Sequence, residues 1–127
     1  MKNIVKLMFL ILICLMVSCN KDREIKKLLN SSKPYENIEG AYEAMKSDDL
    51  SYVNLLLKNS GKQEATTALK FKGVTVYEED MYALQHLLNS KPPHPITDSV
   101  DSLNIKFFIN KWKNIFKPQF RRESVGQ

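Results

Sequence analysis

Eleven apolar residues run without interruption from Leu7 to Val17, behind Lys2 and Lys6 and just ahead of Ser18-Cys19. A helix made of them is apolar all round, so it needs a protein interior or a bilayer around it. The run is shorter than the ~20 residues that span a membrane. A basic start, a short apolar core and a small residue before the cut are the parts of a secretory signal. Taking residues 1–18 as the leader leaves 127 − 18 = 109 residues, enough for one small domain. Cys14 departs with the leader, so Cys19 has no partner thiol, and neither a disulfide nor a thiolate metal cluster is expected. Losing Lys2 and Lys6 lowers the net charge from +5 to +3, too modest a basicity to suggest nucleic acid.

Met16-Val17-Ser18-Cys19 resembles the lipobox of bacterial lipoproteins, with Met16 where leucine is commonest. That resemblance implies cleavage before Cys19 and a diacylglyceryl thioether on its sulfur, making Cys19 the lipidation site. Asn20 rather than Asp at the next position implies the outer membrane over the inner one in a Gram-negative envelope. An ordinary secretory signal cut elsewhere is the main competing reading. Each buried methylene of an acyl chain contributes ~0.8 kcal/mol, and two or three chains hold a protein stably. Residues 19–36 then read as the lipidated cysteine and a polar tether ending at Asn30-Ser31-Ser32-Lys33-Pro34. A short helix around Ile25, Leu28 and Leu29 is the alternative to a solvated spacer.

Residues 37–117 carry helical periodicity. Leu50, Val53, Leu56 and Leu57 follow Asp48-Asp49, and Met81, Leu84, Leu87 and Leu88 repeat the spacing behind Glu79-Asp80. The carboxylates suit helix N-termini, and the apolar residues fall on one face. Helices this short are unstable alone, so the expected fold class is all-α, built of stacked helix pairs. Gly73 to Tyr77 is β-like, and a minor β element is expected near residues 71–77.

A third segment, Pro95 to Val100 followed by Asn104-Ile105-Lys106-Phe107-Phe108, resembles an ankyrin repeat. Pro95, Ile96 and Ser99 match the T-P-L-H-x-A first-helix motif, and His94 departs from its threonine. Ala41, Ala44 and Asp49-Leu50 fit the same register, whereas the copy around Asp80-Met81 does not. An unrelated helical bundle satisfies the same spacings. The resemblance implies protein recognition through the first helices and turns, with Glu43, Lys46, Asp98 and Asp101 as outward-facing partner-binding candidates.

The remaining features have plain explanations. On a helix, Phe108, Trp112, Ile115 and Phe116 make an apolar face opposite the lysines, the pattern of a core-facing capping helix. Residues 118–127 read as a loose basic tail. His86 and His94 lack metal-ligand spacing, and Glu78-Glu79-Asp80 reads as helix capping rather than as paired catalytic carboxylates. No phosphate loop or nucleophile motif is present. The expectation is a cell-envelope lipoprotein without enzymatic activity, cofactor or metal. Its partners would be the membrane, through lipid on Cys19, and a protein. The narrower readings are an immunity or inhibitor protein and an accessory subunit. Two alternatives are a structural lipoprotein docking on a membrane complex through its aromatic C-terminal helix, and a hydrolase or small-ligand domain with a deep pocket around residues 77–80.

Overall fold

The computed structural model describes residues 2–67 and 69–125, without side-chain placement for residues 17, 18, 69 and 116–125. The chain is all-α: α1 (Lys2–Leu29), α2 (Pro34–Ser47), α3 (Val53–Asn59), α4 (Val76–Leu87) and α5 (Ser102–Val125), with 3-10 turns at Leu50–Tyr52 and Leu69–Phe71. Among the described residues there is no strand. The β-like stretch supplies one antiparallel bridge, Ala65 to Thr75, before the helical turn at Val76 takes over.

The termini of the helices follow local chemistry. Pro34 opens α2, where its missing amide costs nothing. Asp48 closes α2 in the left-handed region at φ 55°, and Asp49 accepts a 2.9 Å bond from the Ser51 amide to cap the next turn. Thr75, not an acidic residue, caps α4 by accepting from the Glu78 amide at 3.1 Å. Glu78 and Glu79 therefore sit in the first turn as expected, but Asp80 lies one turn further in and is fully buried.

One core holds the helices together. Ile25 and Leu29 of α1, Ala41 and Ala44 of α2, Val53 and Leu56 of α3, Met81 and Leu84 of α4, and Phe108 of α5 are all buried in it. The repeated spacings thus mark the inward faces, although Leu50 is 42% exposed. Burial of each large apolar side chain contributes about 1.5–3 kcal/mol. Ile38, Phe71 and Val76 form a second, smaller cluster under the 60–75 loop.

The segment expected as a tether belongs to the fold. The second half of α1 packs on α2, and its last carbonyls are satisfied by two buried asparagines. Asn37 Nδ2 donates to Leu28 O at 3.0 Å and to Ser31 O at 2.7 Å, and Asn59 Nδ2 donates to Leu29 O at 2.6 Å. Gly40 lets the helices meet: a Cβ there would stand 2.9 Å from Leu28 Cβ and 3.0 Å from the Leu29 amide.

Contacts at the helix ends fix every direction. At one end, Tyr52 Oη donates to Asp22 at 2.6 Å, His86 Nε2 lies 2.6 Å from Asp48 Oδ1, and Trp112 Nε1 donates to Asn54 at 2.8 Å. At the other, Asn37 and Asn59 hold Leu28 and Leu29, the Tyr77 amide donates to Lys62 O at 3.0 Å, and Asn104 Nδ2 donates to Tyr77 Oη at 3.2 Å. So α1 and α3 run one way, and α2, α4 and α5 run the other.

Parallel α4 and α5 require a crossover along the whole body. Residues 88–94 provide it, since His94 already bonds Asn104 at the start of α5, and the expected helix from Pro95 to Val100 is absent: that segment is an irregular loop at the far end, held by Gln63. Covering the length of a 12-residue helix, about 18 Å, takes residues 88–94 close to full extension. Prolines at 92, 93 and 95 suit the extended form.

Candidate functional site

Two surfaces could carry function: the apolar half of α1 and a groove beside α4. The first is the more demanding physically. Its apolar side chains from Ile4 to Met16 are 43–67% exposed, and none of the most apolar stretch is covered by the rest of the chain. By length and composition α1 can cross a membrane, with a mean hydropathy of 2.1 in its apolar window. An all-round apolar surface of this kind has to be taken up by lipid or removed.

Cys19 stands at the junction, exposed and with a free thiol. Ile25, six residues on, is the first core residue, so at 1.5 Å per helical residue only about 9 Å separates the sulfur-bearing residue from the packed body. The polar residues between are helical, with an Asp22–Lys26 ion pair at 3.2 Å, rather than a flexible spacer. Whatever attaches at Cys19 lies at the end of the body that holds Tyr52, Asp48, His86 and Asn54.

The groove lies on the outer side of α4. Its upper end is a hollow of about 490 Å³ bounded by Met45, Tyr82, Gln85, His86, Asn89 and Lys91. It continues past Tyr82 and Gln85 into a second hollow of about 300 Å³ along Pro92, Pro93 and Ile96. Both are open and shallow. At its ends sit the two histidines, each against an aspartate: His86 with Asp48, and His94 Nδ1 donating to Asp101 Oδ2 at 2.7 Å. The hydrogen bond from His94, with further bonds from the Leu103 and Asn104 amides, holds the Asp101 carboxyl below the usual carboxylate range. Ser90, beside His86, donates its hydroxyl to Leu88 O at 3.0 Å. That hydroxyl is committed to the backbone and is not poised as a nucleophile.

The four partner-binding candidates are placed apart in the fold and have local work. Glu43 and Lys46 pair with each other at 3.1 Å on α2, and the Lys46 ammonium lies 4.8 Å over the Tyr42 ring. Asp101 caps α5 through a 2.9 Å bond from the Leu103 amide. Asp98 is exposed on the crossover, and its carbonyl accepts from Gln63 Nε2. Of the acidic cluster, Asp80 is buried beneath α4, away from the hollows, with neither oxygen hydrogen-bonded. No group of three or more His, Cys, Asp or Glu among the described residues could hold a metal.

Sequence reasoning gave the buried asparagines no packing role, placing Asn104 only as a turn residue before the second helix. Asn104 is the clearest case: its Oδ1 accepts from the His94 amide at 3.0 Å and its Nδ2 donates to His94 O at 3.2 Å, pinning the crossover to α5. A buried asparagine has no periodic signature, since one polar residue on an apolar face looks like a solvated position. No known protein family matches the chain, and no curated protein or solved structure is significantly similar to it.

Proposed function

We propose that the protein is a bacterial envelope lipoprotein, held by lipid on Cys19, whose helical body is a non-catalytic module for binding another protein. The observation that carries this reading is the sharp change at Cys19. Before it, the helix is bare and apolar; within two turns after it, the same helix belongs to a satisfied core. Cleavage before Cys19 removes what water cannot tolerate and leaves intact every core residue of the body. The shallow groove with Tyr82, prolines and a polar rim suits a peptide or protein surface better than a small molecule, which calls for enclosure. An immunity or inhibitor protein and an accessory subunit both use such a surface.

The anchoring half is tested by expressing the native chain and Cys19→Ala with a radiolabelled or clickable fatty acid and fractionating the cells. The native protein should carry label and sediment with membranes, and Cys19→Ala should carry none. Equal labelling of both overturns the assignment of Cys19. The binding half is tested with a photo-crosslinking residue at Tyr82 in intact cells. A discrete adduct there, absent when the probe sits at Lys33 on the opposite end, is expected; no adduct at Tyr82 counts against the groove.

A further inference from the structure

We infer that the groove beside α4 takes an extended, acidic segment of a protein partner, with the Gln85 and Asn89 side-chain amides bonding its main chain and Lys91 pairing with one of its carboxylates. This rests on the protein-binding reading of the groove and names the chemistry of what lies in it.

The wall facing α4 is the crossover from Lys91 to Ile96, and it has little main-chain chemistry to offer. Pro92, Pro93 and Pro95 have no amide hydrogen. The amide and the carbonyl of His94 are both held by Asn104, at 3.0 and 3.2 Å, and the Ser90 amide donates to Gln85 O at 3.2 Å. A peptide cannot join this wall as it would join a sheet edge. Its hydrogen bonds have to come from side chains.

The outer face of α4 supplies them. Gln85 and Asn89 line the larger hollow, and neither terminal amide has a partner within the chain among the described residues. A side-chain amide offers two donors and an acceptor, the complement of a peptide group. Four residues of helix advance about 6 Å. Two residues of extended chain advance about 6.7 Å, so the two amides meet alternate residues of a peptide lying along α4. Asn89 stands in the left-handed region at φ 46°, which asparagine tolerates at a helix end. That conformation employs its backbone and leaves its amide free. Tyr82, one turn before Gln85 and 42% exposed, gives the peptide's side chains an apolar contact.

Charge narrows the segment. No carboxylate is among the described residues lining either hollow, and both histidines lie against aspartates at the groove's ends. Lys91 is shared by the two hollows and has no counter-ion among the described residues. An acidic side chain passing over the junction of the hollows supplies it.

The test pans the full-length protein, purified in detergent and immobilised, against a phage-displayed library of random peptides, with Q85A/N89A as the counter-selection. Enriched sequences should hold Asp or Glu at one fixed position, and panning on K91E should exchange it for Lys or Arg. A synthetic copy of the best binder should lose at least about tenfold in affinity for Q85A/N89A, whose melting temperature should match the parent's. N-methylation at either of two alternate residues should weaken it similarly, and methylation between them should not. No enrichment over Q85A/N89A, enrichment without a fixed acidic position, or indifference to N-methylation overturns the inference. So does stronger binding of N-acetylglucosamine oligomers offered as competitors, which would make the groove a glycan site. In cells, a Tyr82 crosslink whose yield is unchanged in K91E removes this inference and leaves the protein-binding reading standing, whereas no crosslink at all removes both.

Discussion

Asp80 is enclosed in the second turn of α4 with both carboxylate oxygens unpartnered, and burial, then the neighbouring Glu79, pushes its pKa well above the usual carboxylate value while Lys62 pulls the other way. A raised folded-state pKa means the folded protein holds a proton that the unfolded chain releases. Stability is therefore greatest at acid pH and falls as pH rises from the ordinary carboxylate range through the folded pKa. Asp80→Asn carries no titrating proton, so its melting temperature should decline less than the parent's, with only the part due to Glu79, whose burial also raises its pKa, remaining; at pH 8 the variant should be more stable by about 1–3 kcal/mol. Parallel melting curves from pH 5 to 8 would show that the carboxyl is not the group responsible. Gly40 works by size instead. Gly40→Ala puts a methyl against Leu28 Cβ and the Leu29 amide, which cannot both retreat, and should cost about 1–3 kcal/mol in chemical denaturation.

At the scale of elements, the crossover has no regular structure of its own and is held by side chains from elsewhere. Asn104 bonds both sides of the His94 peptide, and Gln63 bonds the Val100 amide at 2.7 Å and the Asp98 carbonyl. Asn104→Ala leaves the His94 amide and the Tyr77 hydroxyl short of a partner in a buried place, so about 1–3 kcal/mol should be lost. Limited proteolysis should then cut within residues 90–100 several-fold faster than in the parent, whereas an unchanged rate would mean the prolines alone hold the segment. The inward faces of α3, α4 and α5 could be read from the spacing of Val53, Leu56, Met81, Leu84 and Phe108, because burial imposes a period and a period is visible. The direction of α5 could not, since it depends on residues 88–94 stretching back along α4. Residues 95–100 satisfy a first-helix motif locally, but Gln63 takes the Val100 amide and the Asp98 carbonyl and holds them in a loop. In the same way Asn20 to Leu29 looks polar enough to be a spacer until Asn37 and Asn59 are found waiting for its last carbonyls. Of the candidate surfaces, the apolar run ahead of Cys19 is visible in the chain; the groove brings Met45 together with Tyr82 and Pro93, which no local pattern connects.

At the scale of the molecule, a rigid junction turns a lipid anchor into an orientation. A flexible tether of a dozen residues would let the body tumble at any height, but helix from Asn20 onward joins Cys19 to the core within about 9 Å. With lipid on Cys19 as proposed, one end of the body, holding Leu50, Tyr52 and Trp112, would be pressed toward the headgroups. The other, with Lys33 and Lys62, stands about 21 Å further out, the length of the 14 residues of α2. The groove on α4 runs between them, so on the proposed anchoring its Met45–His86 stretch would lie close to the membrane and its proline-lined stretch higher. Because the mature chain would keep no thiol except the acylated one, single cysteines report this cleanly. With a donor dye at Leu50→Cys or Lys33→Cys and acceptor-labelled lipid in the vesicle, transfer from position 50 should exceed that from position 33 by severalfold. Equal transfer from both would mean that the helix after Cys19 opens on the membrane, and the fixed orientation would fall with it.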